Sequence, residues 1–111
     1  MNPTYDEILK ANSLRGNEIK KTPLIHSPTF SDLTNSEVYL KAEFRQKTGS
    51  FKIRGAYYKI KSLSEEEKKY GVVAASAGNH AQGVALASSL ENISCTIIMP
   101  KNASPAKVAA T

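Results

Sequence analysis

The chain has one cysteine, Cys95, so no disulfide can form within it. That residue lies in the apolar run 94–99, where the thiol reads as buried and inert rather than reactive. Long hydrophobic runs are also missing. None approaches the ~18 apolar residues of a membrane span, and the amino terminus has no basic region followed by an apolar one. Together these absences predict a soluble, cytoplasmic protein with no membrane partner. Acid is the scarcer charge, 10 residues against 15 basic, for a formal net charge of +5. A basic surplus marks a nucleic-acid face only when it clusters, and here it is scattered. Lys20-Lys21 and Lys68-Lys69 are isolated pairs, the second preceded by Glu65-Glu66-Glu67, so no nucleic-acid partner is expected. At 111 residues the chain can build one domain, burying roughly 60 to 65 per cent of its unfolded surface, but not two.

Local signals then set out the elements. Thr4-Tyr5-Asp6-Glu7 is a capping-box pattern, and Tyr5, Ile8 and Leu9 predict a short amphipathic helix fading over 12–16. Thr22-Pro23 forces an extended step into a short strand at Leu24-Ile25, because the residue before proline is pushed out of the helical region. Pro28 and the polar run 31–36 read as a turn, and 37–43 as an alternating strand. Ser64-Glu65-Glu66-Glu67 opens a brief solvent-facing helix ended by Gly71. Val72-Val73-Ala74-Ala75 is too short for a helix and reads as a buried strand, as does 96–99. Between them Asn79–Leu90 predicts a helix with Ala81, Val84, Ala85 and Leu86 on its packing side. Strand, helix and strand make a right-handed parallel βαβ unit, and Ser104-Pro105 starts another helix.

Two stretches carry chemistry. The first, 41–56, runs from the strand through a turn to Lys52 on the first turn of a helix whose Phe51, Ile53, Ala56, Tyr57, Ile60 and Leu63 follow at near-helical spacing. Ser50 is the expected N-cap. The positive potential of a helix start, with partial burial, disfavours the ammonium form and suits a lysine to act as a nucleophilic amine. The second stretch, Ser76-Ala77-Gly78-Asn79-His80-Ala81-Gln82-Gly83, occupies the carboxyl end of a parallel strand and the start of the next helix. Open α/β sheets bind ligands there, and backbone N–H groups at such a place favour an anion. Taken alone, Asn79 is an ordinary helix cap and His80 a helix-start residue shaping the loop, with a catalytic base as its alternative. His26, Glu43 and Cys95 read as structural.

Lys-Ala-Glu…Gln-Lys-Thr-Gly-Ser-Phe-Lys-Ile-Arg-Gly-Ala followed by Ser-Ala-Gly-Asn-His-Ala-Gln-Gly-Val-Ala resembles the threonine dehydratase and serine racemase group of fold type II pyridoxal phosphate enzymes. Thr22-Pro23-Leu24 and Met99-Pro100-Lys101 extend the likeness over nearly the whole chain. The resemblance implies an α/β fold, the amino-terminal part of a tryptophan synthase beta-like architecture with incomplete parallel βαβ units. It implies pyridoxal 5'-phosphate as cofactor, with catalytic Lys52 as the Schiff-base lysine. Phe51 would pack against the cofactor ring, and Asn79 would hydrogen-bond its phenolic oxygen. Ser76, Ala77, Gly78, Asn79 and His80 would receive the substrate carboxylate. Cysteine synthase-like and threonine synthase-like members carry an aspartate after the lysine, where this chain has Ile53. Racemases place a proton-giving serine at the position of Ala77, so the resemblance implies dehydration of L-threonine or L-serine rather than racemisation. It further implies a homo-oligomer at full length, a small amino-acid substrate, and a place in amino-acid metabolism such as isoleucine biosynthesis.

One departure qualifies this. Family members carry a glycine-rich phosphate cradle and a polar partner for the pyridine nitrogen, and neither occurs before Thr111. The expectation is therefore an amino-terminal portion of a catalytic domain, with 1–50 as arm and first strands and 51–111 as lysine helix and start of a small parallel α/β domain. Such a portion is expected to be inactive alone. The alternatives are a serine racemase-like enzyme and a noncatalytic split chain that acts only with a partner polypeptide.

Overall fold

The structure is a computed structural model that describes residues 2–111, so Met1 of the expected arm lies outside the described residues. The arm begins with α1 (Tyr5–Ser13), started by the expected capping box. Glu7 N–H donates to Thr4 Oγ1 at 3.3 Å, and Thr4 N–H donates back to the Glu7 carboxylate at 2.6 Å. No residue of α1 is buried. Strand β1 (Leu24–His26) pairs antiparallel with β2 (Tyr39–Lys41), Ile25 opposite Leu40.

Between them the expected turn is a helix, α2 (Pro28–Thr34). Ser27 Oγ accepts the N–H of Phe30 at 3.4 Å, Pro28 sits where its missing N–H costs nothing, and Asn35 ends the helix at φ 49°. Strand β2 is shorter than expected. Ala42 still donates to the Pro23 carbonyl at 3.0 Å, but Glu43–Arg45 then tightens into a 3₁₀ turn.

Helix α3 (Lys52–Lys61) carries the lysine, and α4 (Glu65–Tyr70) follows behind a second capping box at Ser64. Strands β3 (Val72–Ala75) and β4 (Cys95–Ile98) pair in parallel, Val72 opposite Cys95 and Ala75 opposite Ile98, joined through α5 (Asn79–Leu90). The last element is α6 (Pro105–Ala109). Gly71 makes the entry to β3 possible. Its φ of +75° is open to glycine, and a Cβ there would stand 2.6 Å from the Ser94 carbonyl oxygen.

The core lies where α3 packs on α5. Ile19, Ile53, Ala56, Tyr57, Ile60, Val84, Ala87 and Ile93 form it, with Val72, Ala74, Cys95 and Ile97 of the sheet packed against it. Burying one such large side chain fully is worth about 1.5–3 kcal/mol, so the inner face of α3 is what holds it to α5. On α5 the buried residues are Ala81, Gly83, Val84, Ala87 and Ser88, whereas Ala85 and Leu86 are only partly covered. The expected packing side is thus rotated toward the smallest residues. Neither β3 nor β4 is buried on both faces as expected, because helices of the described chain cover only one. Val73 is 70% and Ile98 57% exposed, and Cys95 is half-buried rather than buried.

Candidate active site

The lysine is delivered by a loop fastened at several points. Gln46, buried, makes a two-way bond with the backbone of Lys20: its Nε2 donates to the Lys20 carbonyl at 2.8 Å, and Lys20 N–H donates to its Oε1 at 3.2 Å. Arg54 grips Glu43 with both arms of its guanidinium, Nε at 2.9 Å and Nη2 at 2.7 Å. Nη2 also donates to the Lys20 carbonyl at 3.1 Å, and Thr22 Oγ1 donates to the same carboxylate. The Arg54 hydrogen bonds outweigh desolvation, and with Thr22 they hold the Glu43 carboxyl down at about 2. Glu43 is structural, as expected. What the sequence reading missed is that Arg54, two residues beyond Lys52, joins it, so the first turn of α3 is tied to the arm. Partners 11 to 34 residues apart leave no periodic signal in sequence.

Lys52 is the first residue of α3. Its cap is Phe51, with no side-chain hydrogen bond, but Ser50 Oγ accepts the Lys52 N–H at 3.4 Å, so the expected cap works one residue removed from the N-cap position. The lysine side chain is exposed rather than partly buried. Its Nζ stands 5.2 Å from the centroid of the Phe51 ring, which is itself 58% exposed. Phe51, Lys52, Gly55, Ala56 and His80 line one cavity of about 290 Å³.

His80 reaches this cavity from α5. Strand β3 ends as Ser76 N–H donates to the Ile98 carbonyl at 3.0 Å, and Ser76 Oγ accepts the Gly78 N–H at 3.2 Å, turning the chain. Gly78 is the cap of α5, so Asn79 opens the helix instead of capping it. The first N–H groups of that helix have no partner within it, which leaves donors for an anion at 79–81. Phe51, Lys52 and His80 are therefore brought together, whereas Ser76, Ala77 and Gly78 of the β3–α5 connection and Asn79 at the start of α5 do not line the cavity. Of Gly55 and Ala56, which keep the cavity wall low, the sequence marks Ala56 only as an apolar position of the helix and Gly55 not as a site residue. Their signal was only that they are the small residues one turn after the lysine.

Known proteins are similar to this chain in sequence and in fold. The chain is 55% identical over 108 residues to the L-threonine ammonia-lyase of Thermotoga maritima, covering 97% of this chain and 27% of that protein. It is 49% identical over 106 residues to the catabolic L-threonine dehydratase of Escherichia coli, covering 96% and 32%. Among solved structures, serine racemase from Dictyostelium discoideum superposes with a TM-score of 0.91 at 41% identity, over 96% of this chain and 35% of that one. The processed threonine deaminase isoform 2 of Solanum lycopersicum gives 0.81 at 37% identity, over 98% and 33%. The chain thus spans about a third or less of the length of these relatives. Residues 16–111 match the family of pyridoxal-phosphate dependent enzymes. With the parallel β3–α5–β4 unit and an exposed lysine at the first turn of α3, the chain belongs to that family, as an α/β portion of the threonine dehydratase and serine racemase group of fold type II.

Proposed function

We propose that this chain supplies the lysine-bearing portion of an ammonia-lyase that converts L-threonine, and L-serine, to 2-oxobutanoate or pyruvate and ammonia. The observation that carries the reading is the Lys52 amine, exposed beside an aromatic ring in a cavity shared with His80. The residues present fit the carbonyl end of pyridoxal phosphate: a free primary amine, a flat apolar face and the small side chains Gly55 and Ala56 around them. When bound, that cofactor supplies an electron sink for charge developing at the substrate α-carbon.

Lys52 would hold the cofactor through its amine, and its Nζ would take the α-proton of the substrate. Phe51 would face the cofactor ring, and Asn79 would offer a side-chain donor to its phenolic oxygen. Ser76, Ala77, Gly78, Asn79 and His80 orient the substrate carboxylate, aided by the free N–H groups at the start of α5. Loss of the β-hydroxyl as water and later return of a water leave keto acid and ammonia as net products. Ala77 has no proton to deliver to the opposite face of the α-carbon, which favours elimination.

Racemisation is the second reading, supported by the likeness to serine racemase. A noncatalytic chain acting only with a partner polypeptide is a third. The division into an arm (1–50) and a lysine helix with the start of a small α/β domain (51–111), a homo-oligomeric whole protein, cytoplasmic location and a supply of keto acid to isoleucine biosynthesis belong to the same proposal.

The test uses an assembled enzyme, this chain joined to the remainder of the Thermotoga maritima relative. Borohydride reduction with pyridoxal phosphate should fix the cofactor on Lys52, and Lys52→Ala should lose both labelling and turnover while its melt stays close to the parent. Label on another lysine sinks the assignment. Keto acid should form from L-threonine and L-serine with no D-isomer by chiral chromatography, and accumulation of D-serine before pyruvate would favour racemisation.

A further inference from the structure

Two helical glycines near Lys52 stand in opposite circumstances. A Cβ built on Gly55, within α3, meets nothing within 4 Å, whereas one built on Gly83 of α5 would stand 3.2 Å from Ile53 N and from the Lys52 carbonyl carbon, and 3.3 Å from the Lys52 carbonyl oxygen. All three neighbours are backbone atoms of the Lys52–Ile53 peptide, so no side-chain rotation can relieve the contact. The seat is also tightly filled. Ile53, Ala81, Val84 and Ala87 around it are buried, with Ile53 0% exposed. Glycine in a helix interior costs roughly 0.5–1 kcal/mol against alanine. That cost is offset here by the close approach of α5 to α3.

We propose that Gly83 is a positioning residue for Lys52: its missing side chain seats α5 directly on the peptide that carries the lysine and so sets how far the amine stands from the first turn of α5. This rests on the reading of Lys52 as the cofactor lysine. His80 lies three residues before Gly83, one turn along the same helix face, and lines the cavity of Lys52. The contact and the residues it serves are therefore linked through a single rigid turn. An added methyl must part α3 and α5 by a few tenths of an ångström, moving Lys52 relative to His80 and Asn79 together. Reaction geometry is sensitive on that scale, since about 1 Å of misplacement can cost on the order of 100-fold in rate.

The experiment compares Gly83→Ala with Ile60→Val in the assembled enzyme. Ile60 is buried at the far end of α3, about 12 Å along the helix from Lys52, and its truncation lowers stability through a small cavity without touching the Lys52 peptide. The readouts are the rate at which apoprotein takes up borohydride-trappable pyridoxal phosphate on Lys52, the melting midpoint, and kcat and KM for threonine. Gly83→Ala is expected to slow uptake and lower kcat by about 3- to 10-fold with KM within about 2-fold of the parent, while Ile60→Val lowers the midpoint and leaves uptake at the parent rate. Parent-like uptake and kcat in Gly83→Ala would overturn the proposal, as would losses that track the midpoint equally in both variants. Should Gly83→Ala not fold at the assay temperature, the same readouts are taken at a lower temperature where it does; the uptake defect should persist there, and parent-like uptake would overturn the proposal. If the parent itself is not labelled at Lys52, the functional reading falls, and the proposal with it.

Discussion

At the scale of single residues, Glu43 makes the sharpest prediction. Its carboxyl is held at about 2, down from its ordinary 4.5, chiefly by the Arg54 hydrogen bonds. A depressed carboxyl contributes stability that is fully present above the ordinary value and lost as pH falls through the folded one. Allowing for the partial exposure of the pair, the contribution is on the order of 2 kcal/mol. Glu43→Gln should therefore destabilise the assembled enzyme by about that much at pH 7, leaving Arg54 without its counter-charge. Urea melts of both proteins should converge as pH falls from 4.5 toward 2, and a gap that stays constant over this window contradicts the account. The sequence placed Lys52 at the start of a helix and 76–80 at the passage from β3 to α5 because each sits in a short contiguous pattern. It did not disclose Arg54 on Glu43, Gln46 on Lys20 or Gly83 on the Lys52 peptide, since each is a meeting of segments distant in sequence.

At the scale of elements, the two capping boxes were legible, whereas the caps of α3 and α5 and the covering layers were not. Both capping boxes, at Thr4 and Ser64, stand as read. Pro28 and the polar run 31–36 read as a turn, yet Ser27 before the proline and Asn35 after the apolar pair Phe30 and Leu33 are start and stop signals, and helix α2 forms between them. Strands β3 and β4 were recognised but given two covered faces, as continuous apolar runs suggest, where the structure alternates. Gly71 provides the test at this scale. Its φ of 75° and ψ of −169° fall in a region nearly restricted to glycine, and its missing Cβ admits the Ser94 carbonyl that receives the Val72 N–H at 2.8 Å. Gly71→Ala should cost about 2–4 kcal/mol by denaturant unfolding. A loss below about 1 kcal/mol would mean that the entry to β3 relaxes more freely than this geometry allows.

For the whole molecule, shape and surface agree. The radius of gyration is 16.5 Å, against about 13 Å for a compact domain of this length. Val73 and Ile98 present apolar side chains on the uncovered face of the β3–β4 pair, where two parallel strands also leave unpaired edges. The 111 residues expressed alone are expected to self-associate through this face, to show no cofactor-dependent keto-acid formation, and to become more soluble when Val73→Thr and Ile98→Thr are combined. Light scattering with a thermal melt is the measurement. A monodisperse monomer that melts cooperatively and turns over threonine with added pyridoxal phosphate would refute the expectation.

The ties between the lysine loop and the arm have a consequence in time. Gln46 and Arg54 both end on the Lys20 carbonyl, 26 and 34 residues away. Closing a segment of 34 residues costs roughly 3 kcal/mol of chain entropy before any bond repays it. The helix that bears Lys52 can form early from local signals, but its first turn is placed only when residues 20 and 54 meet. On the proposed role of Lys52, competence to take up a cofactor is expected to come late in folding, and to depend on a stretch of chain around Lys20 that makes no hydrogen bond to the amine among the described residues.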